Sequence, residues 1–253
     1  MESQLIHALK IHRHQPFASG LTGLEPDVAL EPDGRVLVDL KATVTPALLQ
    51  RINEGGGQVT SSFAQFNAIR ALVPLHQLER LAAAREVRFI SRAAVAITDT
   101  GSVNSQGDVT HMASAARTGF GIAGAGVKVG VVSDSVDYLA NSQASGDLDG
   151  VTVLAGQGGF GTGEGTAMLE IIHDLAPTAQ LFFATGSGGA ASLAQNILNL
   201  RSNGCDIIVD DFRYANESPL QDGTIAQAVN TVTAGGALYF ASAGNGGNLD
   251  AGA

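Results

Sequence analysis

The chain has 253 residues, 45% of them hydrophobic and 15% charged, and a formal net charge of -10. That is enough apolar material for one large domain or two smaller ones. The acidic balance leaves no basic stripe to neutralise phosphates, which argues against nucleic acid as a partner, and no apolar run is long enough to span a bilayer, which argues against a membrane-embedded helix.

The opening, MESQLIHALKIHRHQPF, lacks the apolar core of a secretory signal, so either the protein stays inside the cell or a leader has been removed. Residues 1–33 are expected to be a polar tail, with His12 and His14 in a disordered stretch rather than a metal site. From 34 to 98 the signals alternate. VLVDLKA (36–42) reads as a strand, and TPALLQRINEGG (45–56), with its Thr cap, first-turn Pro and Gly stop, as a helix. QVTSSFAQFNAIRALVP (58–74) reads as two strands around a turn near Phe66-Asn67, HQLERLAAAREV (76–87) as an amphipathic helix, and RFISRAAVAIT (88–98) as a final strand. The order βαββαβ predicts a ferredoxin-like sandwich. Residues 99–123 are small and polar and read as a linker with a short helix from about Val109 to Arg117, on which His111 is expected at the surface.

The basic residues after about 120 are only Lys128, Arg201 and Arg213, and this asymmetry suggests two domains with different tasks. From 124 to 253 apolar strands alternate with helices. The strands are VKVGVV (127–132), VTVLAG (151–156), AQLFFAT (179–185), DIIVDDF (206–212) and ALYFASAG (237–244). The helices run over 164–174, 192–204 and 224–236. Strands apolar on both faces predict a parallel sheet in a doubly wound α/β domain, whose function gathers at the carboxyl ends of the strands. Those ends carry Ser133-Asp134, Asp210-Asp211 and Gly244-Asn245, and Glu164 opens a neighbouring helix. Cys205 is the only cysteine, so no intrachain disulfide forms; it is expected to be buried, without a role.

GQGGFG (156–161) fits the G-x-G-x-x-G dinucleotide pattern after a strand and before a helix. The next strand, however, ends FFATGSGG without an acid for a ribose hydroxyl, and a carboxylate at Glu164 would repel a pyrophosphate. A plain loop therefore ranks above a nucleotide site, and neither a cofactor nor a metal ligand set is called for.

GAGVKVGVVSDSVD (124–137) resembles the first catalytic strand of subtilisin-like serine peptidases, which ends in the triad aspartate. EGTAMLEIIHDLAP (164–177) resembles their histidine helix, written H-G-T-H-V-A-G-I-I-A-G-V-A-P, with Glu164 on the histidine. ALYFASAGNGGN (237–248) resembles their oxyanion segment, with Asn245 on the oxyanion asparagine. The resemblance implies a subtilisin-like α/β domain, incomplete at its C-terminus, behind an inhibitory propeptide whose tail, about Ser91 to Gly107, would cross the cleft until cleavage within 99–108. It further implies a serine-type endopeptidase precursor acting on peptides or proteins, secreted by family habit, with its propeptide as an intramolecular partner.

Sedolisins, carboxyl relatives of this family, use glutamate in place of the histidine. They also carry a helper aspartate one turn on, where this chain has Met168, and an oxyanion aspartate where it has Asn245. The serine motif G-T-S-x-A-x-P does not occur in these residues, so the chain by itself is expected to hydrolyse nothing. The alternative is a non-catalytic α/β binding or chaperone fragment.

A serine nucleophile needs a base, an orienting group and oxyanion donors. Glu164 is either that base or a first-turn complement to the helix dipole. A carboxylate base, with an ordinary pKa of about 4.3, points to acidic or near-neutral activity. Asp134 is either the orienting acid or an Asx-turn at a strand end; ungapped matching puts Ser133 on the family aspartate instead. Asp211 is either a partner sharing a proton with Glu164 or a solvated acid past its strand. Asn245 is assigned to the oxyanion hole over a turn role. His173, nine residues after Glu164, is expected on the opposite helix face and cannot replace the missing histidine.

Overall fold

A computed structural model describes residues 1–15, 26–94, 97–98, 106–217 and 220–245. The chain divides into two units, Met1–Val95 and Ala96–Ala253.

The first unit corrects the expected tail. Residues Ser3–His12 form helix α1, whose Leu5, Ala8 and Leu9, spaced three and one apart, are buried in the core. Glu2 clips the helix start to the sheet: its N–H donates to Ile90 O at 2.8 Å and its carboxylate accepts from Arg92 N at 2.7 Å. The stripe is short and diluted by His and Lys, which hides it in the sequence.

Strand β1 (Arg35–Ala42) buries alternate residues Val36, Val38, Leu40 and Ala42. Helix α2 (Pro46–Glu54) starts where Thr45 Oγ1 accepts from Leu48 N at 3.2 Å, and it buries Leu48 and Ile52. Strands β2 (Gln58–Phe63) and β3 (Ala68–Pro74) are joined through Asn67, whose left-handed φ of 50° makes the turn. Helix α3 (Leu78–Ala82) is shorter than expected because a 3-10 turn, Leu75–Gln77, replaces its start. Strand β4 (Val87–Arg92) completes an antiparallel sheet in the order β2-β3-β1-β4. Leu40 stands opposite both Ile69 and Ile90, so the three inner strands line one face.

The strand expected over 88–98 stops at Arg92. Ile97–Thr98, strand β5, already lies in the second unit and pairs antiparallel within it, Thr98 opposite Phe212 and Ile97 opposite Arg213. The expected linker is also largely structured. Helices α4 (Gly107–Thr110) and α5 (Ala113–Phe120) belong to the second unit, where Arg117 Nη1 donates to Asp108 Oδ1 at 2.6 Å and to Leu175 O at 2.9 Å. His111 is exposed.

Strand β6 (Lys128–Ser133) is followed by helix α6 (Leu139–Ser145), which the sequence reading missed, and by β7 (Val151–Val153). Then come α7 (Glu164–Leu175), β8 (Gln180–Thr185), α8 (Ala190–Ser202), β9 (Ile207–Asp210), β10 (Phe212–Arg213), α9 (Thr224–Ala234) and β11 (Leu238–Ala241). The sheet is parallel throughout, in the order β11-β9-β6-β8-β7. On one face Val129, Val131, Leu181 and Phe183 pack with Leu169 of α7. Leu193, Ala194, Ile197 and Leu200 of α8, Ala228 and Val232 of α9, and Ile208 of β9 are buried as well. Cys205 is buried just before β9, and burial pushes its thiol up to about 11.

Because β6 lies between β8 and β9, the winding reverses there, and a crevice opens at the carboxyl ends of these strands. Among the described residues no helix is long and apolar enough to cross a membrane.

Candidate active site

Three of the four residues singled out from the sequence meet at that crevice. Asp134 directly follows β6, and its two oxygens gather four donors. Oδ1 accepts from Ser135 N at 2.5 Å and Glu164 N at 3.1 Å. Oδ2 accepts from Thr162 Oγ1 at 2.7 Å and from Thr162 N. Burial alone would raise its pKa, but these hydrogen bonds outweigh it and hold the carboxyl below its ordinary value. Asp134 is thus a fixed anion at the N-terminus of α7, satisfying amides that a helix start leaves open. The packing requires glycine beside it: a Cβ on Gly161 would lie 2.2 Å from Asp134 Oδ2.

Glu164 is the first residue of α7 and half-buried. Its carboxyl is within hydrogen-bonding reach of the Asp211 carboxyl. Asp211 is not a solvated acid. It is 6% exposed, accepts from Ser133 Oγ at 3.2 Å through Oδ2, and its Oδ1 is buried without an N–H or hydroxyl donor. Burial raises its pKa, the nearby Asp134 charge adds to this, and the bonds to Glu164 and Ser133 oppose it. Two carboxyls in contact, one of them buried, are satisfied when a proton lies between them.

Asp210 points to the other side of β9. Its Oδ1 accepts from Phe212 N at 3.1 Å and its Oδ2 from Tyr239 Oη. Burial pushes Asp210 up to about 6, against the pull of those bonds, and Asp211 pushes it further in the same direction. Burial, with the Asp210 charge, also raises the Tyr239 phenol. Asn245 sits exposed at the same sheet edge, just past β11, after the left-handed Gly244 with φ 78°.

Sequence reasoning missed Thr162 and the Asp210–Tyr239 pair. It had weighed Ser133 for the aspartate's place, whereas the side chain holds Asp211. The spacing of a strand-end Ser-Asp and a strand-end Asp-Asp carried the signal for the last contact. Met168, one turn beyond Glu164, packs against the apolar core. Among the described residues no group of three His, Cys, Asp or Glu side chains is placed to hold a metal ion.

The seating of α7 depends on Gly165, which is buried against Phe183. A Cβ there would lie 2.3 Å from Phe183 Cε2 and 2.5 Å from Ser135 O, and Phe183 is fully buried and cannot step aside. Gly165→Ala is expected to lower the unfolding free energy of the second unit by about 1–3 kcal/mol. Urea denaturation measures it, and an unchanged midpoint contradicts the packing.

Together the fold and site of the second unit define a parallel α/β domain with a carboxyl pair, one member of it buried, at its switch point. Comparison with known proteins then narrows the class. No family model matches the chain. Subtilisin Savinase of Lederbergia lenta is 30% identical over 143 residues, 50% of this chain and 51% of that protein. An alkaline protease of Shouchella clausii is 30% identical over 143 residues, 36% of its own length. The matched stretch thus spans about half the length of these curated relatives, or less.

Among solved structures, the epidermin leader peptide processing serine protease of Staphylococcus aureus is similar with a TM-score of 0.53 at 10% identity, covering 83% of this chain and 60% of that one. Fervidolysin of Fervidobacterium pennivorans, described as a keratinolytic enzyme related to subtilisin, gives 0.50 at 13% identity, covering 86% and 41%. These structural likenesses establish the fold. The chain is homologous to subtilisin-like serine proteases at low identity over half its length.

Proposed function

We propose that the second unit is the N-terminal part of a serine endopeptidase domain in which Glu164 is the general base. The contact between Glu164 and the buried Asp211 carries this reading. In it, the two carboxyls share one proton, and Glu164 is ionised and oriented as the base when that proton lies on Asp211. Glu164 takes the hydroxyl proton as a serine attacks the peptide carbonyl and returns it to the leaving amine. Asn245 donates its side-chain amide to the oxyanion.

Asp134, the orienting acid expected from the sequence, acts here through the backbone by holding the start of α7. The arrangement is sedolisin-like in its carboxylate base, but its second carboxylate comes from a neighbouring strand, where sedolisins use the helix position occupied here by Met168. The nucleophilic serine would come from a segment outside these residues.

The first unit has the βαββαβ order and the antiparallel β2-β3-β1-β4 sheet of a ferredoxin-like domain, which supports an inhibitory propeptide. The pairing of β5 with β10, directly after Asp211, supports a tail laid along the cleft. Most of the expected cleavage stretch, 99–105, lies outside the described residues.

The experiment takes the natural polypeptide that carries these residues. A fluorophosphonate should label one serine beyond the present sequence, found by peptide mapping, and should stop casein hydrolysis. Removing residues 1–98 should raise the rate. A polypeptide that neither takes the label nor cleaves casein overturns the proposal.

A further inference from the structure

Two aromatic side chains near the start of α7 are largely exposed. Phe160 is 89% exposed and Tyr138 is 70% exposed. The exposure of Phe160 is imposed rather than slack, because both its neighbours are pinned. Gly159 forms a β-bridge with Ser135, and Gly161 N donates to Asp137 Oδ2 at 3.1 Å. Tyr138 holds a left-handed φ of 70°, unusual for a bulky residue. Asp137, just before it, is fixed by Ser135 Oγ at 3.0 Å on its carboxylate and Thr166 Oγ1 at 2.8 Å on its carbonyl. The ring lies against the backbone of Gly163, where a Cβ would come within 2.9 Å of Tyr138 Cδ2. Strain of this kind, held by surrounding hydrogen bonds, gathers at functional sites.

Both rings border the loop that delivers Glu164, and the peptide direction relates them to the acids. β5 runs antiparallel to β10 with Thr98 opposite Phe212, so a segment docked in that register heads, N to C, toward Asp211. A peptide held this way lays its N-terminal half on β10 and carries the following bond toward Asp211 and its partner Glu164.

We infer that Tyr138 and Phe160 form an apolar rim that receives the side chain immediately C-terminal to the scissile bond, selecting aliphatic or aromatic residues there. This rests on the peptidase reading above. The anions Asp134 and Asp137 at the base of the loop act in the same direction by disfavouring acidic side chains.

The test uses the natural hydrolytic polypeptide and internally quenched peptides that differ only in that residue: Leu, Phe, Ser or Asp. A preference of about tenfold or more in kcat/KM for Leu and Phe over Ser is expected, within the range an apolar pocket supplies. Phe160→Ala and Tyr138→Asn, the latter chosen because Asn tolerates the left-handed backbone, should each reduce it to about twofold or less. Selectivity for residues N-terminal to the bond should stay as in the parent. A leucine preference that survives both substitutions overturns the rim while leaving the peptidase reading intact. Absence of hydrolysis for every peptide by the parent overturns the peptidase reading, and the rim with it.

Discussion

Glu164→Gln is expected to lower peptide hydrolysis by about 10²–10⁴-fold, the usual contribution of a positioned general base. The fold should survive, because the Gln amide can donate to Asp211 where a shared proton otherwise stands, so the unfolding midpoint should hold or rise. The measurement is kcat/KM on a casein-derived peptide with the natural hydrolytic polypeptide, alongside thermal unfolding. Turnover within tenfold of the parent would remove Glu164 from the mechanism. Asp211 separates orientation from packing. Asp211→Asn keeps a donor toward Glu164 and should retain more activity than Asp211→Leu, which keeps volume but loses the hydrogen bond. Equal losses in the two variants would mean that Asp211 does not act through a donated proton.

The second large effect is on stability. Burial raises Asp210 from 3.8 to about 6, so between those values the folded chain keeps a proton that the unfolded chain has released. Stability present below about pH 4 is therefore lost as pH rises to about 6. The shift of roughly two units corresponds to about 3 kcal/mol. Asp210→Asn cannot ionise, and its amide faces a Tyr239 hydroxyl able to accept. The loss between pH 4 and pH 7 should be about 3 kcal/mol smaller in the variant, as read by urea unfolding at both pH values. An identical loss in parent and variant contradicts the assignment. Asp211, also raised, leaves a residual slope of the same sign. Asp134 runs the other way: its lowered pKa gives stability above about pH 4 that disappears as pH falls through its folded value. The opposed shifts place the stability maximum where Asp134 is ionised and Asp210 still holds its proton.

The raised values of Asp210 and Asp211 both come first from desolvation. The described ion pairs of the second unit, Arg117–Asp108 and Arg201–Asp206, do not include any of these acids. Asp134, Asp211 and Glu164 share one crevice, where backbone amides, hydroxyls and a retained proton satisfy them. Such crowding of acids is costly for stability and common where proton transfer is the task.

The periodicity of the chain was enough to determine most of its elements. Alternation placed β1, β3 and the apolar strands β6, β8 and β9. The Thr45 cap with Pro46 placed α2, and the glycine loop before a helical stripe placed α7 with Glu164 at its start. These signals are legible because they are local: a pattern of two or 3.6 residues is fixed by which face each side chain takes. Where the local signal was short, the reading failed. Three apolar residues on α1 look like a polar tail until a sheet stands beneath them, and Ile97–Thr98 continue a strand in sequence yet pair elsewhere.

The site divides along the same line. The sequence by itself put a carboxylate at the head of one helix and acids at two strand ends. Only the tertiary structure decided which acid meets which, because the strand order β9-β6-β8 brings Asp211 to Glu164 while the amides of Thr162, Ser135 and Glu164 occupy Asp134. Burial, which sets the protonation of Asp210 and Asp211, is a property of what packs around a residue and is not written in its neighbours along the chain.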